Sequence, residues 1–171
     1  MHFPPFHPQI SPELRPNKVL ARLQNYRGAI RPDDEQWAVC DRDRWTQEQR
    51  NALLAWANAR PAKQAFRGVA VSTPMFELWL LLHFQPVAAP ITAGAILKAL
   101  KQHLPGIDKS EESLAAHAAK FTLPSVQATI TAAKALCPDT TSRTDRTSSN
   151  VWVLAEHILA AAPPSSSFPP R

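Results

Sequence analysis

Glycine is scarce in this chain, with only 4 among 171 residues. Together with the absence of any GxGxxG or GxxxxGK[ST] run, this excludes the glycine-rich phosphate loops of the simplest nucleotide-binding folds. No HExxH occurs either, which removes the simplest zincin reading. The two cysteines, Cys40 and Cys137, stand far apart and form no CxxC, so a zinc ribbon is excluded and a disulfide framework is not expected. Long hydrophobic runs are missing as well. The most apolar stretch, Phe76 to Phe84, contains Glu77 and falls well short of the roughly 20 residues that span a bilayer. Met1 is followed by HFPPFHP, with no basic segment and no long apolar one, so no signal peptide is expected. A cytoplasmic location without membrane contact is the expectation.

What is present points to one globular domain with irregular ends. The length suits a single core, and 44% apolar with 19% charged residues suits a folded middle. Proline is abundant at 17. It crowds residues 1–15, expected to be a flexible leader, and residues 163–171 (PPSSSFPPR), expected to be a disordered tail. Residues 16–162 form the expected domain. The net charge of +5 fits a polyanionic partner such as nucleic acid without requiring one.

Within the domain, residues 16–27 read as a helix with Pro16 in its first turn, Val19, Leu20, Leu23 and Tyr26 on one face, and Gly28 as its stop. Glu35 to Cys40 reads as a buried strand. Thr46 with Gln49 three residues on is a capping-box signal for a helix over 47–59, with Leu53, Trp56 and Ala57 facing inward. Arg67 to Ser72 reads as a second strand, and Thr73-Pro74 as the cap and first turn of a helix reaching Phe84. Strand, helix, strand, helix is a βαβ pattern, which makes parallel pairs. Beyond it the periodicity predicts helices over 92–103, 111–119, 124–136 and 150–161, with Asp139 to Ser149 as a loop. The expected fold class is α/β, with a small sheet and a helical C-terminal half.

Asp41-Arg42-Asp43 directly follows the first strand. Ligands of parallel sheets gather at the carboxyl ends of strands, and hard cations such as Mg²⁺ take one or two carboxylates beside substrate phosphates. The pair reads either as such a metal site or as a solvated turn in which Asp43 or Thr46 caps the next helix. Glu77 falls on the same sheet edge in an apolar setting, where it either joins the metal or instead caps its own helix or pairs with an arginine. Arg42 and Arg44 flank the carboxylates and suit phosphate oxygens, whereas Arg50 and Arg60 fit a solvated helix face. Trp45 fits either base stacking or core packing. The six histidines form no site, His83 being placed to satisfy terminal carbonyls of its helix. Cys40 reads as a packing residue.

Two blocks carry a resemblance. Residues 35–44 (EQWAVCDRDR) and 72–84 (STPMFELWLLLHF) resemble the signature blocks of RloB-like proteins, roughly DEVWCVFDRDxH and SNPCFELWLLLHF. More loosely, residues 107–109 resemble that family's Y-x-K segment and residues 147–151 its NPST lead into the last helix. The likeness covers residues 17–160. It implies a TOPRIM-like sheet, a place in a bacterial phage-defence (abortive infection) module, and an ATPase partner. It also implies a Mg²⁺- or Mn²⁺-dependent nuclease in which Asp41 and Asp43 hold the metal and act in catalysis. Glu77 lies in the second block, and its position on the same sheet edge, rather than the resemblance, makes it the expected additional ligand and catalytic residue. The family's opening strand and its EGxTE-like glutamate have no counterpart here, since Glu13 in SPELRP is the only acidic residue before Asp33. An N-terminally truncated copy is therefore expected. The alternative function is an inactive copy that only binds an ATPase or nucleic acid.

Overall fold

A computed structural model describes residues 16–26, 34–42, 45–59, 66–108, 110–136 and 146–161. In chain order the elements are α1 (Pro16–Gln24), β1 (Glu35–Asp41), α2 (Gln47–Asn58), β2 (Phe66–Thr73), α3 (Glu77–Leu81) and α4 (Ala93–His103). They continue with α5 (Glu111–His117), a 3-10 turn (Ala118–Lys120), α6 (Leu123–Leu136), β3 (Ser148–Ser149) and α7 (Val151–Ala161). The class is α/β with a helical majority, as the sequence predicts. The expected leader, the tail and the implied missing strand concern residues outside the described ones.

β1 and β2 form the expected parallel pair, in register from Glu35↔Phe66 to Asp41↔Ser72. The sheet is nevertheless mixed, because β3 pairs antiparallel with the end of β2 through Ser72↔Ser149 and Thr73↔Ser148. Two expectations fail for that one reason. Ser148 and Ser149 are strand rather than loop, and Thr73 stays extended to pair with Ser148 instead of capping a helix. The chain turns after a cis Thr73-Pro74 bond, and α3 starts only at Glu77.

Side chains alternate between the two faces of a strand. On one face Ala38, Cys40 and Val69 pack against α1 and α2 around Leu53, Trp56, Ala57 and Trp45. α2 opens with the predicted capping box, Thr46 and Gln49 exchanging side-chain and backbone hydrogen bonds. The burial of Trp45 settles it as core rather than a base-stacking surface. Val19, Leu20 and Leu23 join this core, but Tyr26 lies beyond the end of α1 and is 48% exposed. Arg50 is not simply solvated: its guanidinium donates to the Trp45 carbonyl at 2.5 Å and to Gln47 Oε1 at 2.6 Å. β1 is also less buried than a buried strand requires. It is an edge of the sheet among the described residues, and Val39 is 41% exposed.

The opposite face meets the larger core, built from Ala70, Met75, Leu78, Leu81, Ile96, Leu100, Ile130 and Trp152 among others. Trp37 packs so closely over Gly68 that a Cβ there would fall within 2.7 Å of three ring carbons. The ring is fixed by its Nε1–H, which donates to Glu35 Oε2 at 2.7 Å, and by Phe66 and His157 at 5.4 and 5.1 Å between centroids. His157 in turn donates from Nδ1 to Glu35 Oε1 at 2.9 Å, tying α7 to the amino end of β1.

His83 sits between Trp79 and Phe121, edge-on to both, and donates from Nδ1 to the Trp79 carbonyl at 2.9 Å. This is the carbonyl-satisfying role the sequence predicts. Burial pushes its pKa below the ordinary 6.5, and the bonds to the Trp79 and Leu80 carbonyls oppose that shift. The unfolded chain therefore binds a proton at a higher pH than the folded one does. Stability is expected to fall as pH drops below about 6.5, through the His83 range. Chemical denaturation at stepped pH should show that slope, and His83→Phe should flatten it.

Candidate carboxylate site at the strand end

β1 ends at Asp41 and the extended chain carries that residue to the carboxyl edge of the sheet. Directly paired residues on neighbouring strands share a face, so Asp41, Ser72 and Ser149 form one polar row across all three strands. Ser72 and Ser149 are 1% and 0% exposed, and their hydroxyls lie 2.9 Å apart. Two buried hydroxyls in that position satisfy each other, which removes the penalty each would carry alone.

The turn after β2 brings α3 to the same edge. The Phe76 N–H donates to Asp41 Oδ1 at 2.6 Å, so the backbone one residue before Glu77 is fastened to the β1 carboxylate. The bond is short because the acceptor is a carboxylate, and it orients the Asp41 side chain. Glu77 itself is 8% exposed, among Leu78, Trp79 and Leu81. The structure thus fastens the Asp41 carboxylate to the backbone at the start of α3, the helix whose first residue is Glu77. Asp43 and Arg44 lie outside the described residues. Arg42 is half-buried beside the site, and its backbone carbonyl accepts from the Trp45 N–H at 3.1 Å. Burial, with Arg50 nearby, lowers its pKa from the ordinary arginine value.

Among the described residues no three His, Cys, Asp or Glu side chains cluster closely enough to hold a metal. Asp41 and Glu77 are oxygen donors, and with Asp43 they would make an all-carboxylate set. That chemistry fits Mg²⁺ or Mn²⁺ and not zinc. Cys40, the residue before Asp41, packs on the opposite face of the sheet against the α2 core, and burial, and then the charge of Asp41, push its thiol up to about 12.

Sequence reasoning missed Ser72, Ser149, Asn150 and the Phe76 N–H. Asn150 bonds twice to Val71 of β2. Its N–H donates to the Val71 carbonyl at 3.1 Å, and its side-chain Oδ1 accepts from the Val71 N–H. The only signal for these residues is the segment 147–151, whose chemistry is invisible until β3 is placed. The other described histidines serve structure: His103 stacks on Phe84 and bonds Gln85, and His117 bonds the Ser113 carbonyl.

A family model described as RloB-like protein matches residues 7–158. No curated protein and no solved structure matches the chain. No helix among the described residues is long and apolar enough to cross a membrane.

Proposed function

Because the chain belongs to the RloB-like family, we propose that it acts on nucleic-acid phosphodiesters as a divalent-metal-dependent nuclease of a phage-defence module. The observation that supports this most is the Phe76 N–H bond to Asp41, which joins the β1 carboxylate to the start of α3 and its buried Glu77. Asp41, Asp43 and Glu77 would hold Mg²⁺ or Mn²⁺, a Lewis acid that polarises a phosphoryl oxygen and lowers the pKa of water. The chain's own part is to orient Asp41 through the Phe76 amide and to back it with the Ser72–Ser149 pair. Arg42 and Arg44 would bind phosphate oxygens beside the carboxylates, and the net charge of +5 favours a polyanion. The defence role and an ATPase partner rest on the family resemblance.

A calorimetric titration of the whole chain with Mn²⁺, beside Asp41→Ala/Asp43→Ala, tests the reading. Saturable binding by the wild type that vanishes in the double variant is the expected result. Cleavage of DNA or RNA that needs the same metal should accompany it. A wild type that binds no metal overturns the proposal. Binding without cleavage of either polymer replaces it with the alternative of a protein that only docks on nucleic acid or an ATPase.

A further inference from the structure

β3 is only two residues long, yet it sets one end of the polar row that carries Asp41. Two residues of ladder hold a strand weakly, so something else must fix Ser149 against Ser72. Asn150 supplies it. A backbone acceptor would ordinarily face the Val71 N–H, and here the Asn150 side-chain carbonyl takes that place while its own N–H serves the Val71 carbonyl. The Asn150 carbonyl also accepts from the Val153 N–H at 3.1 Å, so the same residue starts α7. One residue therefore fastens the central strand, the third strand and α7 at a single point, its side chain through the Val71 N–H and its backbone through the Val71 carbonyl and the Val153 N–H. That point is one residue from Ser72, the register partner of Asp41.

We propose that Asn150 is a positioning residue for the carboxylate site: it seats Ser149 on Ser72 and so fixes the face on which Asp41 meets the Phe76 amide. The proposal rests on the reading that this edge is the functional site. A residue that merely docks α7 would be matched by another of that helix's anchors, such as the His157–Glu35 pair at the amino end of β1. That contrast makes the role testable.

Amide hydrogen exchange on the metal-free chain reads the site without any ligand. In Asn150→Ala the Phe76 amide should exchange about tenfold faster than any global loss of stability explains. Asn150→Asp keeps an acceptor oxygen for the Val71 N–H and should restore protection. His157→Ala should leave Phe76 at the wild-type rate. For Mn²⁺, Asn150→Ala should weaken binding about 10–100-fold, as loss of a supporting partner does at metal sites. Asn150→Asp should bind at least as tightly as the wild type. Unchanged Phe76 exchange in folded Asn150→Ala overturns the assignment, and so does an equal effect from His157→Ala. If the wild type takes up no Mn²⁺, the nuclease reading fails while the exchange data still decide the role of Asn150.

Discussion

Asp41→Ala should abolish metal-dependent cleavage, a fall of about 10³-fold or more, because it removes a carboxylate from the proposed metal set and its charge from the site. The same substitution should cost stability for an unrelated reason. The Phe76 N–H would lose its acceptor, and a part-buried donor left unsatisfied costs about 1–3 kcal/mol. The two effects separate in Asp41→Asn. Its amide oxygen still accepts from Phe76, so the midpoint of urea unfolding should return most of the way to wild type. Metal affinity should not return, since the charge is gone. If Asp41→Asn keeps full metal affinity and cleavage, the carboxylate at β1 is not a ligand and the chemistry lies elsewhere on the chain.

Gly68→Ala should be the most damaging single change on the sheet. Its Cβ would enter the space of the Trp37 ring, with three ring carbons within 2.7 Å. The ring has little room to yield, because Glu35 holds its N–H and Phe66 and His157 flank it. Overpacking of this kind costs about 1–3 kcal/mol, and the pinned ring argues for the upper end. For a chain of this size that lowers the melting temperature by roughly 5–10 °C. Adding Trp37→Leu to Gly68→Ala should recover part of the loss, since a smaller side chain vacates the volume. Gly68→Ala that melts with the wild type would mean that Trp37 can leave its seat freely.

The elements that were legible in the sequence are those whose signals are local. The Thr46/Gln49 box and the inward Leu53, Trp56 and Ala57 of α2 depend only on residues a turn or two apart. The pairing of β1 with β2 followed from strand, helix and strand in order. What stayed hidden depends on remote pairing. Ser148 and Ser149 have no strand periodicity, and only their register against β2 makes them strand and keeps Thr73 extended. At the site, Asp41 and Glu77 were visible as carboxylates near strand ends. The Phe76 amide that ties Asp41 to the start of α3 was not, because every residue but proline carries one and no side chain announces its use.

The pairing of Ser72 with Ser149 spans 77 positions of the chain. Contacts of that sequence separation form late, and a chain leaving the ribosome from its N-terminus cannot form them until the distant partner has emerged. α1, β1, α2 and β2 can associate while synthesis continues, but the row that backs Asp41 stays open until Ser149 and Asn150 arrive. A nascent chain of this protein is therefore expected to carry an unfinished site from the emergence of β2 until β3 and α7 follow it.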